Sequence, residues 1–200
     1  MKYRSGDFVG VVASDFTSRL ASKVMGLFII PKTNLFHFFW IRTPIPDEND
    51  YEIKEAIPSG GMRDGRFSWY QDKEYRVFRI LGKGISKKSD IACAKYSRYG
   101  RYNYNFLLSI KLLFGLVYCL YNQLVKEHKF RKIHVSELPY AQSDEFVCTE
   151  AVYEISYLMG CPIMPPNEVS IPPSIIEALE NGKIKEVTKV DEIWLRRLSK

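Results

Sequence analysis

Cys148 sits in SDEFVCTEAVYEISYLMG, where Ser143 or Asp144 can cap a helix whose buried face is marked by Val147, Ala151, Ile155, Leu158 and Met159. The thiol therefore falls in the first helical turn. Unpaired amide donors and the positive end of the helix dipole favour the thiolate there, and the thiolate is the nucleophilic form. Cys93, Cys119 and Cys161 lack that setting and read as small hydrophobes. His37 lies in LFHFFWI, with Leu35, Phe36, Phe38 and Phe39 around it and no polar neighbour in sequence for its ring nitrogens. In YEIKEAI, residues 51 to 57, a period of two puts Tyr51, Ile53, Glu55 and Ile57 on one face, so Glu55 turns toward the core and requires a partner. A structural arginine at the sheet rim would satisfy that carboxylate. So would His37, if the two strands pair. Glu55 then accepts from one imidazole nitrogen and fixes the tautomer, leaving the other nitrogen as a base. A thiolate, a base and an orienting acid together perform acyl transfer through an acyl-enzyme.

The elements that must hold these residues can be read from hydrophobic period. Phe8 to Ala13 reads as a short buried strand, after which Ser14 or Asp15 caps an amphipathic helix to about Gly26. Residues 35 to 41 are apolar on both faces apart from His37, as expected of a central strand covered on two sides. Strands over 51 to 57, 61 to 67 and 74 to 81 follow, giving a hairpin-connected antiparallel sheet. From Ser89 the period turns helical, with helices near 89 to 98, 104 to 126 and 144 to 159. The Pro-punctuated tail gives one short helix ending at Asn181-Gly182 and a final strand or short helix. The layout is α+β, an antiparallel sheet packed against helices, with a catalytic domain over 1–160 and a C-terminal extension over 161–200 packed on the same domain.

Composition narrows the alternatives. The 200 residues are 46% hydrophobic and 26% charged, which is the profile of a globular chain rather than a disordered or collagen-like one. A chain this long buries roughly 70% of its unfolded surface and folds without staples. The four cysteines form no CxxC and share no metal-ligand spacing with His37, His128 and His134, so neither a metal nor any other cofactor is expected. No signal-peptide core follows Lys2 and Arg4, and the expected location is the cytoplasm, or release by a route without a signal peptide.

Five features in order carry a family resemblance: Gly6-Asp7 opening the first strand, His37 in the next, Glu55-Ala56 ending the strand after that, Tyr102-Asn103-Tyr104 leading a long helix, and Phe146-Val147-Cys148-Thr149-Glu150 starting another. This arrangement resembles the permuted papain-like cysteine hydrolases of the NlpC superfamily, YiiX/YebB-like branch, over roughly residues 5 to 160. The resemblance implies a circularly permuted papain-like fold with Cys148 as nucleophile, His37 as base and Glu55 as orienting acid. It implies a peptide or amide substrate, with peptidoglycan-derived peptides or lipids as the classes left open. Phe36, Asn103 and Thr149 stand where the family commonly has Ser, Asp and Ser. Retinol-acyltransferase-like relatives share the layout, which keeps lipid-directed acyl transfer beside amide hydrolysis.

Other motifs in the chain point to different chemistry. Gly60 to Phe67 has the glycine spacing of a phosphate loop, but Arg66 and Phe67 replace its lysine and hydroxyl. Asp47-Glu48-Asn49-Asp50 lacks the alternating ligands of a calcium loop. Between Arg63 and Arg101 eleven Lys/Arg face four Asp/Glu, and KYSRYGRYNYNF, residues 95 to 106, interleaves Arg with Tyr as single-strand nucleic-acid surfaces do. A non-enzymatic nucleic-acid-binding module is thus the rival class, though the Tyr spacing fits the junction of two helices better. Phe106 to Val125 has the length of a membrane span, but Lys111, Asn122 and Gln123 interrupt it. A mid-span lysine costs roughly 2.5–3.5 kcal/mol, so a buried or half-buried core helix is expected and contact with a membrane surface is the next reading.

Overall fold

The computed structural model describes residues 2–57, 61–98, 106–138, 148–165 and 171–188. The first strand, β1 (Asp7–Val12), alternates Phe8 toward one layer and Val9 and Val11 toward the other. That alternation makes it the middle of a six-stranded sheet. With β3 (Leu35–Ile45), β4 (Asp50–Ile57), β5 (Gly61–Arg66), β6 (Tyr75–Ile80) and β8 (Ile184–Glu186), the order is β5-β4-β3-β1-β6-β8, and the paired strands are antiparallel. A second, two-stranded parallel pair joins β2 (Ile29–Ile30) to β7 (Ile133–His134). The β3, β4 and β5 run matches the expected hairpin series, but β6 pairs with β1 and β8 and not with β5, and β3 runs four residues further than its apolar stretch.

Five helices are described: α1 (Phe16–Phe28), α2 (Ile85–Arg98), α3 (Phe106–Val125), α4 (Cys148–Leu158) and α5 (Pro172–Glu180). Asp15 caps α1, accepting from the Ser18 amide at 2.9 Å. The helix α2 begins at Ile85, earlier than its period suggests, directly after Gly84 at φ +67°. Trp40 donates its indole N–H to Ser89 Oγ at 2.6 Å, tying β3 to α2.

One layer of core gathers Phe8, Phe38, Trp40 and Phe78 from the sheet with Val152 and Ile155 of α4 and Ile175 of α5. The other face is covered by an aromatic cluster that includes Phe39, Tyr51, Phe67, Tyr70 and Tyr75. Residues beyond 160, including Ile163, Ile175 and Ile184, belong to the same core as Phe8 and Cys148. Gly6-Asp7 is explained by this packing. Gly6 has φ +96° and an added Cβ would come within 2.7 Å of Ile85, while fully buried Asp7 receives two 2.7 Å hydrogen bonds from Arg79.

Candidate active site

Strand register sets the geometry. Val11 faces His37 across β1 and β3, Phe39 faces Glu55 across β3 and β4, and Glu55 faces Arg63 across β4 and β5. His37 is two residues from Phe39, so it and Glu55 are diagonal neighbours on one face. His37 Nε2 lies 2.8 Å from Glu55 Oε2. The same carboxylate takes the Arg63 fork, Nε at 2.8 Å and a terminal nitrogen at 2.7 Å, on Oε1. Glu55 therefore has both partners its inward position allowed, the rim arginine and the histidine.

Tyr70 completes the set. It ends a 3-10 turn over Phe67–Tyr70, donates its hydroxyl to Glu55 Oε2, and stacks on the His37 ring with centroids 5.7 Å apart. Glu55 has no solvent exposure, and both its oxygens are engaged. A buried carboxylate so surrounded is stable only because every lone-pair direction is used.

Cys148 arrives from the opposite layer. It is the first described residue of α4, which packs across β3 and β4, and its Sγ lies 3.8 Å from the Phe36 carbonyl oxygen. Phe36 adjoins His37, so the thiol sits beside the imidazole, near enough for its sulfur to act on the charge of the ring. Nε2 is turned to Glu55, which leaves Nδ1 as the nitrogen for sulfur. Burial disfavours charge on His37, yet the Cys148 sulfur and the Glu55 carboxylate outweigh it and raise the imidazole to about 9. Burial likewise opposes charge on Glu55, but hydrogen bonds from His37, Tyr70 and Arg63 hold it down at about 2. The Tyr70 hydroxyl is pushed up by burial and by its bond to that anion. The arrangement is a protonatable base between a sulfur and an anchored anion.

A cavity of about 270 Å³ opens beside His37, with Ser14, Asp15, Phe36, Tyr70 and Lys73 among its walls. Phe36 lines this cavity beside His37. Thr149 is buried beside Cys148. The candidate helix caps Ser143 and Asp144, the Phe146-Val147 pair, Tyr102-Asn103-Tyr104 and Arg101 lie outside the described residues. Lys54, which the period placed on the outer face of β4, is buried and bonds Asp64 at 3.1 Å, because α4 covers that face too.

Sequence reasoning did not name Arg63 or Tyr70. The first was accessible, since a hairpin register pairing Ile57 with Gly61 sets Arg63 opposite Glu55. For Tyr70 no local pattern pointed to the site.

No family model matches the chain, and no curated protein matches it either. Its fold is similar to that of the metalloprotein YiiX from Escherichia coli O157:H7, whose crystal structure it matches with a TM-score of 0.59 at 11% identity, covering 94% of this chain and 98% of that one. The shared architecture is a mixed α/β fold with an antiparallel sheet. Among the described residues no group of three His, Cys, Asp or Glu could hold a metal ion.

Proposed function

We propose that the chain is a cysteine hydrolase of the permuted papain-like type within the NlpC superfamily, cleaving amide or peptide bonds with Cys148, His37 and Glu55. The observation that carries this is the placement of the Cys148 sulfur against the Phe36 carbonyl, next to His37, whose Nε2 lies 2.8 Å from the fully buried Glu55 carboxylate. Sulfur attacks the carbonyl carbon, and the carbonyl electron pair moves to oxygen, where the backbone N–H of Cys148 is the candidate donor. Collapse breaks the C–N bond while His37 gives its proton to the departing amine. His37 then takes a proton from water, hydroxide adds to the thioester, and the acid and the thiolate are released with the imidazole protonated again. Glu55 stays ionised throughout and holds the ring.

Peptide amides, cell-wall peptides among them, are the first substrate class to test. Lipid acyl groups are the second, favoured by one observation: the cavity wall at Ser14, Asp15 and Ser18 is the start of α1, whose outer face is apolar. Incubation with a panel of peptide amides and acyl thioesters, followed by mass spectrometry, is expected to find an acyl adduct on Cys148 in the wild type. Iodoacetamide at neutral pH should label Cys148 ahead of Cys93, which is fully buried and pushed up to about 12 by that burial. Faster labelling of Cys93, or turnover unchanged in Cys148→Ala, would overturn the proposal.

A further inference from the structure

The helix α1 is built inside out. Its buried side carries Ser18 and Ser22, with Ser22 Oγ donating to the Thr33 carbonyl at 3.0 Å. Its outer side carries Phe16, Leu20, Val24 and Leu27, at 82%, 52%, 37% and 61% exposure. At 100° per residue those four fall within one narrow stripe.

The described part of α3 repeats the inversion. Gln123 is buried, accepting from the Arg131 amide, whereas Phe114, Val117, Tyr118, Tyr121, Leu124 and Val125 face out. Of the expected buried or half-buried core helix, the described part of α3 takes the half-buried form: one side is covered and an apolar stripe is not. The two helices belong to one assembly. Met25 and Phe28 of α1 and Leu116, Cys119 and Leu120 of α3 share a cluster around Ile29 and Ile133 of the β2/β7 pair. The Phe28 and Phe130 rings meet edge to face, and Lys132 Nζ bonds the Gly26 carbonyl at 3.0 Å.

Charge identifies what could cover such a surface. Residues 16–34 and 106–132 together contain eight Lys/Arg and a single acidic residue, Glu127, while the whole chain has 29 against 23. All of the protein's net positive charge thus lies in these two segments, and the remainder is slightly acidic. Arg19, Lys23, Lys32, Lys126 and Lys129 are exposed around the apolar stripes. A second copy would have to bring like charge against like. A bilayer with anionic headgroups offers apolar depth for the stripes and negative charge for their borders. Among the described residues no helix is long and apolar enough to cross a membrane, so these helices would lie on the surface.

We infer that the joint outer face of α1 and α3 docks on an anionic membrane surface, with its lysines and arginines among the headgroups. The inference does not depend on the proposed hydrolysis, because docking is read by binding alone. Its consequence for the site is positional: Asp15 and Ser18, at the start of α1, wall the His37 cavity, so docking brings that opening to the interface.

Sedimentation of the full chain with vesicles tests this, using phosphatidylcholine alone or with about 30% phosphatidylglycerol. Binding is expected on the anionic vesicles, about tenfold or more weaker on the neutral ones and weakened by salt. The double variants Leu20→Glu/Leu27→Glu and Lys126→Glu/Lys129→Glu should each lose about tenfold or more in affinity while keeping the wild-type circular dichroism and melting temperature. Cys148→Ala should bind like the wild type, which separates this result from failure of the hydrolase reading. Absence of vesicle binding, equal binding by the variants, or a wild-type dimer that Leu20→Glu/Leu27→Glu turns into a monomer would overturn the inference.

Discussion

The surroundings of Glu55 and the outer face of α1 are opposites. Around Glu55, polar groups have been drawn into the protein and each has found its partner within the chain: His37, Arg63 and Tyr70 on one carboxylate. Along α1, apolar groups have been turned outward while serines face in. The first region violates the rule that charges stay outside, and the second violates the rule that large hydrophobes stay inside. A buried carboxylate is tolerable only when fully satisfied, and its satisfaction is local. An exposed apolar stripe finds its satisfaction outside the chain. One region thus carries internal chemistry, and the other carries recognition.

The sharpest way to separate the two regions is Cys148→Ala, which should cut turnover by more than about 10⁴-fold and leave vesicle binding unchanged. Next is the carboxylate. Glu55→Gln keeps the shape and should cost roughly 10- to 10⁴-fold in turnover with the fold retained, the upper end being what the corresponding amide substitution costs in the serine-protease triad. Glu55→Ala strands His37, Arg63 and Tyr70 and should also lower stability in urea by about 2–4 kcal/mol. If Glu55→Gln were fully active, the carboxylate would be structural only and the contrast would collapse.

A smaller effect is expected from Tyr70→Phe, roughly 10-fold in turnover, since it removes one of several groups that hold Glu55. Its diagnostic readout is the His37 titration followed by NMR. The imidazole should titrate near 9 in the wild type and move down in Glu55→Gln and in Cys148→Ala, because burial then acts with less opposition. The sign for stability follows. A raised His37 contributes fully below its ordinary value near 6.5, and that contribution disappears as pH climbs through about 9. The depressed Glu55 contributes above its ordinary value near 4.5, and its share disappears only as pH drops through about 2. The two contributions are thus complete together between about 4.5 and 6.5. Stability that stays flat or rises between about pH 6.5 and 9 would contradict the coupling.

Much of this was legible in the sequence because the site residues broke a local pattern: an imidazole in an apolar strand, a glutamate on the inward side of an alternation, a cysteine at a helix start. The strands from β1 to β6 were legible apart from the two-residue β2, but that β6 would pair with β1 and not with β5 was not. Period does not, however, say which side of an amphipathic helix meets the protein. In α1 it marked the Phe16–Leu27 stripe without revealing that Ser18 and Ser22 would be the inward side. The strands β2 and β7 are two residues each, too short for any alternation. Tyr70 escaped because its position depends on the aromatic packing of Phe39 and Phe67 around it, a tertiary fact with no sequence period.

The sheet's far edge bears on how a nascent chain survives its own synthesis. β6 is bordered by β8, which the ribosome delivers about a hundred residues later, and the bond between them is fastened by Arg76 on Glu186, 110 positions apart in sequence, and by Val77 N–H on Thr188. For the whole of that interval Tyr75–Ile80 is an unguarded strand with one side already aligned on β1. An open edge beside a hydrophobic sheet is a template for any other extended chain nearby. Expression at low temperature or with holdase chaperones should therefore improve yield, and a chain stopped before residue 183 should aggregate although its candidate triad is complete.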